Sequence, residues 1–197
     1  MDDVRPRTLR ERQREQTRQH LLNCAAELIG AQGFAATSID DIARAAGAGR
    51  ATVYSYFETK DALLAEIIQL MREEADEMYR EFGDLPRWTR PAVAEWVDAV
   101  FERWRVDHPR NRAAAEVGTK RMVEQNAKYH RRYIDGLLGS HGAERFSADE
   151  ARVRASLVIS MIESFMQKYY AFDLDFDPLT TRTTVAETIA DLLEIHP

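Results

Sequence analysis

Apolar side chains recur along this chain every three or four residues. Leu21, Cys24, Ala25, Leu28 and Ile29 form one stripe, and Leu63, Ile67, Leu70, Met71, Met78 and Phe82 a second. Val93, Trp96, Val97, Val100 and Trp104 form a third. Met122, Tyr129, Tyr133 and Leu137 follow, then Leu157, Met161, Phe165, Tyr169 and Phe172, and last Val185, Ile189 and Leu192. Spacings of i, i+3, i+4 and i+7 place such residues on one side of an α-helix. No alternating apolar and polar stretch competes for a strand. The pattern predicts an all-α chain of about nine helices.

Cap chemistry sets the boundaries. Ser38 precedes "IDDIARAA", with Asp41 three residues on, and Ser147 with Glu150 fits a capping box. Asp177 followed by Pro178 reads as an N-cap with proline at the first helical position. "GDLPR" at 83–87 ends a long helix, and "GSHG" at 139–142 reads as a stop and turn.

One stretch carries more than packing. "IDDIARAAGAGRATVYSYF", residues 39–57, has the layout of a helix-turn-helix. Ile39 and Ile42 face inward, Ala43 is small where two helices would cross, and Gly47 sits at the turn, where positive φ suits glycine. Val53 and Phe57 share one side of a second short helix, and Ala51, Thr52 and Ser55 lie opposite. Tyr54 and Tyr56 flank that outer face, and Arg50 stands at its N-terminal end. Small residues let a helix sit deep in a groove; hydroxyls and phenols bind phosphate, and arginine reads guanine with two hydrogen bonds. Thr59 reads as the N-cap of the next helix, with Lys60 in its first turn. A cation there opposes the helix dipole unless it helps to hold a phosphate, or unless Asp61 offsets it.

Charge sharpens this picture. The 197 residues carry a formal net charge of −6, yet six arginines stand within residues 5–18 against two glutamates. A basic front on an acidic chain fits a nucleic-acid partner there, or a solvated helix start. No apolar run is long enough to span a membrane, and the N-terminus lacks a secretory h-region, so a cytoplasmic location is expected. The lone cysteine, Cys24, excludes an internal disulfide. The five histidines show no metal spacing, and no hydrolase or phosphate-loop motif appears. No cofactor, metal or catalytic residue is expected.

The stretch from Thr17 to Leu64 resembles the DNA-binding domain of the TetR family of transcriptional regulators. The matching residues are Thr17, Ala25, Leu28, Gly33, "TS" at 37–38, "IA" at 42–43, "AG" at 46–47, "TVYSYF" at 52–57, Lys60 and Leu63. Gly49 departs from the pattern, standing where serine is frequent. The resemblance implies a homodimer with three N-terminal helices for DNA and a helical body that often binds a small molecule. It implies a DNA-binding domain over residues 14–60, with its helix-turn-helix at 37–56, and a ligand-binding and dimerisation domain over 61–197. Thr37, Ser38, Arg50, Ala51, Thr52, Tyr54, Ser55, Tyr56 and Lys60 are then expected at or near double-stranded, palindromic operator DNA.

The body is rich in large apolar side chains. Trp96, Trp104, Met122, Tyr133, Met161, Phe165 and Tyr169 are candidates to line an apolar pocket for a small hydrophobic or aromatic effector. Glu163 and Gln167 lie within the same apolar helix and could give it polar contacts. The last two long helices, about 147–173 and 178–195, are expected to pair with a second copy as a four-helix interface, with Val158, Ile162 and Ile189 facing the partner. Two function classes follow. One is an effector-released repressor. The other is a helical enzyme or scaffold whose helix-turn-helix no longer binds DNA. The outward Arg50, Thr52, Tyr54 and Lys60 favour the first.

Overall fold

The computed structural model describes residues 8–115, 120–139, 141, 145–171 and 174–196. The described residues form eight long or short helices in chain order: α1 (Leu9–Gln32), α2 (Ile39–Ala45), α3 (Arg50–Tyr56), α4 (Lys60–Gly83), α5 (Arg90–Ala115), α6 (Lys120–Leu138), α7 (Ala148–Ala171) and α8 (Pro178–Leu192). His141 and Arg145 are helical as well. No helix among the described residues is long and apolar enough to cross a membrane.

The caps form where the sequence places them. Ser38 and Asp41 close a reciprocal capping box on α2, and Thr8 with Glu11 does the same for α1. Thr59 accepts from the Ala62 amide at 3.0 Å to start α4, and Asp177 accepts from the Thr180 amide at 2.7 Å to start α8. Each satisfies an amide that the first helical turn leaves without a partner.

Two hydrophobic cores share one helix. Leu21, Ala25 and Ile29 of α1 pack with Ile42 of α2, Val53 of α3 and Leu63 and Ile67 of α4. Farther along α4, Met78, Tyr79 and Phe82 join a second core with Trp96 and Val100 of α5, Tyr133 and Leu137 of α6, Val158 and Ile162 of α7 and Ile189 of α8. Ala113, near the end of α5, belongs to the first core, so α5 also bridges the two. Between the cores α4 buries Arg72 and Asp76. At about 1.5 Å per residue the 24 residues of α4 span about 36 Å.

Farther on, α4 and α6 come close. A Cβ added at Gly83 would lie 2.0 Å from the Gly136 carbonyl oxygen. Only glycine fits that crossing.

Val158, Ile162 and Ile189 correct an expectation. All three are buried in the core of their own chain, so they cannot also face a partner. The exposed line on α7 is Val153, Leu157, Ser160 and Ser164, offset by one position from the buried line. Leu157, counted in the apolar stripe of the sequence, is 51% exposed.

Candidate functional site

The turn between α2 and α3 is built from backbone. Ala46 N donates to Ile42 O at 3.0 Å, Gly47 N to Arg44 O at 3.2 Å and Ala48 N to Ala43 O at 2.9 Å. Gly47 takes φ +62, in the left-handed region where a Cβ is strained. Gly49 caps α3 in extended conformation with no side-chain hydrogen bond. Val53 and Phe57 are buried and fix the roll of α3. Ala51, Thr52, Tyr54 and Ser55 then stand exposed, with Tyr56 half-buried. Arg50 is exposed at the N-terminal end of α3.

Arg50, Tyr54 and Ser55 of this face have partners within the chain. The Arg50 guanidinium donates to Asp40 Oδ2 at 3.1 Å and to the Tyr54 hydroxyl at 3.4 Å, and lies over the Tyr54 ring at 5.5 Å. The pair with Asp40 is exposed on both sides and therefore weak and exchangeable. Ser55 Oγ donates to the Thr52 carbonyl at 2.7 Å. The Arg14 guanidinium on α1 sits 5.8 Å from the Tyr56 ring centroid, which brings the basic front of the chain beside α3.

Thr37 and Lys60 are used differently from the surface roles expected of them. Thr37 is buried; its hydroxyl donates to Gly33 O at 2.9 Å and accepts from Gln32 Nε2 at 3.3 Å. Lys60 Nζ donates to Phe34 O and Thr37 O, each at 2.7 Å, over the Phe34 ring. That ammonium fastens the α1–α2 connection to the start of α4, and at most one N–H is left for a phosphate. The paired carbonyls also offset a cation at a helix N-terminus. Ser38 is exposed, but its hydroxyl is engaged in the α2 cap, donating to Asp41 Oδ2 at 2.6 Å.

A cavity of about 510 Å³ opens between the two cores, against the middle of α4. Its walls are Ile68, Met71, Arg72, Ala75, Met78 and Tyr79 of α4, Trp104 and Asn111 of α5, Tyr129, His130 and Tyr133 of α6, and Glu163 and Gln167 of α7, among others. The volume is that of a small-molecule site. Burial raises the Glu163 carboxyl to about 7 and lowers His130 below the usual imidazole range. Burial, with the Glu163 charge nearby, also pushes the Tyr79 and Tyr133 phenols up.

Of the residues expected to line a pocket, Trp104 and Tyr133 line this one. Trp96, Met161 and Phe165 instead surround a void of about 10 Å³, about one water's worth of space. Trp96 is pinned there by donating its indole N–H to Met78 O at 3.1 Å. Tyr169 stacks on Phe165 and meets Phe101 edge-on. Met122 has a side chain outside the described residues. Arg72, Met71 and Tyr79 also line the cavity; in the sequence they look like a solvated charge and ordinary core until α4 is known to run past a gap.

Residues 21–67 match the family described as bacterial regulatory proteins, tetR family. Among curated relatives, the HTH-type transcriptional regulator AcrR of Shigella flexneri is 38% identical over 68 residues, 34% of this chain and 32% of that protein. The HTH-type transcriptional repressor KstR2 of Rhodococcus jostii is 36% identical over 91 residues, 46% of this chain and 45% of that one. The chain thus spans less than half the length of these two relatives. Among solved structures, the fatty acid degradation regulator FadR from Bacillus halodurans superposes with a TM-score of 0.69 at 17% identity, over 90% of this chain and 94% of that one, a likeness of fold. Matched segment, helix-turn-helix geometry and all-α fold agree: residues 21–67 form a domain of the tetR family of bacterial regulatory proteins, in a chain whose fold is like that of a solved TetR-like transcriptional regulator from Rhodococcus.

Proposed function

We propose that this protein is a cytoplasmic homodimer that represses transcription by binding a palindromic operator, and that a small hydrophobic or aromatic effector in the cavity releases it. Residues 14–60 bind the DNA; residues 61–197 hold the effector and the partner. The observation that carries this reading is α4. Its first residue, Lys60, is fastened to the helix-turn-helix unit, and its middle walls the cavity. A rigid rod of about 36 Å can turn a small displacement at the cavity into a change in the spacing of two recognition helices. The effector must prefer the spacing that does not fit DNA, since equal affinity for both would shift nothing.

The outer face of α3 supports DNA reading. Ala51, Thr52 and Ser55 are small enough for a deep approach, and Arg50 and Tyr54 bound them. The exposed line of α7 is uncharged and partly apolar, and α8 exposes Leu179, Thr180, Thr183 and Thr184. Such faces suit packing against the same helices of a second copy. One relative carries repressor in its name.

Selection from a random duplex pool with the purified protein tests the assignment. An enriched inverted repeat is expected, with half-sites about 34–36 Å apart or a multiple of that. A pool that returns no motif at low salt would leave the alternative, a helical protein whose helix-turn-helix has lost its DNA.

A further inference from the structure

The cavity carries a chemical preference that its apolar walls alone do not state. Glu163 projects from α7 into it with no hydrogen bond and no ion pair among the described residues. The other charges around it are engaged. On α4, Glu74 accepts from Arg110 at 2.6 Å, and Asp76 accepts from Arg132 at 2.5 Å. Arg72 lies over the Tyr129 ring at 4.8 Å. On α5, Arg103 forks onto Glu81 at 2.7 and 2.8 Å. On α6, His130 pairs with Ser156 of α7 at 2.9 Å, and Tyr133 donates to Arg72 O at 3.2 Å. Beside Glu163, in electrostatic reach of it, the Tyr79 hydroxyl is wholly buried and also lacks a partner.

An unpaired carboxyl in an apolar wall is unfavourable when charged, and a cation relieves it. The surrounding rings act in the same sense. Tyr79 and Tyr133 lie with centroids 5.2 Å apart, and Trp104 belongs to the same wall; π faces attract a cation. Ile68, Met71 and Met78 offer an apolar, deformable bed for the rest of a ligand. An anionic ligand would set like charge against Glu163. A neutral one would gain nothing from the charged form of the carboxyl.

We infer that the cavity binds a hydrophobic amine, an apolar body bearing one protonated nitrogen, with Glu163 as its counter-ion. This rests on the reading of the cavity as the effector site and names the class of effector. The carboxyl is divided between its two forms near neutrality, because burial raises it to about 7. An amine binds the charged form, so at low pH it must displace the Glu163 proton to solvent. Binding therefore strengthens as pH rises through 7.

The test titrates the intact protein calorimetrically with 4-phenylbutylamine, 4-phenylbutan-1-ol and 4-phenylbutyrate, which share one apolar body. Near pH 8 the amine is expected to bind at least about tenfold tighter than the alcohol, a preference that shrinks near pH 5.5. In Glu163→Gln the alcohol should bind as before, which shows the fold intact, and the amine should lose its advantage. A preference that survives Glu163→Gln, or an alcohol or acid that binds as tightly as the amine, overturns the inference. Release of fluorescent operator DNA is read in parallel. Selective amine binding without release upholds the ligand class and sinks the effector role. Release by the alcohol alone upholds the effector role and sinks the amine. Failure of all three probes to bind counts against both.

Discussion

Lys60 shows how a single side chain can belong to two interpretations. From sequence it stands in the first turn of a helix beside candidate DNA contacts, which fits a phosphate clamp. In the fold its ammonium is taken up by Phe34 O and Thr37 O. Which carbonyls a lysine finds 26 residues away is not written in local spacing, and the same holds for the buried Thr37. Lys60→Ala should therefore loosen the α1–α2 connection as well as weaken DNA binding. A lower melting temperature, by roughly 2–6 °C for a loss of about 1–2 kcal/mol, is expected, with similar affinity loss for all sequences. A variant that melts like the parent would leave only the phosphate role. Glu163 makes a second prediction. Its carboxyl holds a proton up to about 7 in the folded chain, against an ordinary value of 4.5. The folded state then binds the proton more tightly than the unfolded state between those values. Stability from this group is complete below about 4.5 and is lost as pH rises through about 7. Against Glu163→Gln, the parent should lose on the order of 1–3 kcal/mol across that window and none above it. Melting curves of both proteins at several pH values decide it; a constant difference would contradict the burial of the group.

Among the elements, the long helices were legible because their stripes and caps are local. Ser38, Thr59 and Asp177 cap where the sequence places them, and the buried sides of α1 and α3 follow from period alone. Which arc of a broadly apolar helix meets its own core was not legible. On α7, adjacent residues exchange roles: Val158 is fully buried and Leu157 is not. Trp96, Met161 and Phe165 likewise border a void of about 10 Å³ and not the cavity that Trp104 lines. Periodicity marks an apolar residue and says nothing of whether its neighbour is an atom or a hole. The exposed line makes a prediction. Leu157→Glu should yield a folded monomer by light scattering, whereas Val158→Glu should unfold the chain. A dimer that survives Leu157→Glu places the interface elsewhere. The α4–α6 crossing makes another. Gly83→Ala puts a methyl 2.0 Å from the Gly136 carbonyl oxygen, so the helices must part, at a cost of about 2 kcal/mol or more. A thermal melt that shifts by less than about 2 °C would show that the crossing yields freely.

Taken whole, the molecule is acidic, so under the proposed function its attraction to DNA cannot come from overall charge. It must come from a local face, where α1 brings Arg14 to Tyr56 and α3 presents Arg50 and Tyr54. Affinity should accordingly fall steeply with salt. Arg50 must exchange Asp40 for DNA, and that exposed pair is weak enough to allow it. The most direct measurement is the ratio of affinities, at fixed salt, for a selected duplex and for a scrambled one of equal length and composition. For the parent chain the ratio should be about 10³ or more. Arg50→Ala should cut it by roughly ten- to a hundredfold, through loss of about 1–3 kcal/mol of base discrimination, while leaving scrambled-DNA affinity far less changed. A parent ratio near one, or a ratio that Arg50→Ala leaves intact, would contradict the claim that the outer face of α3 reads DNA.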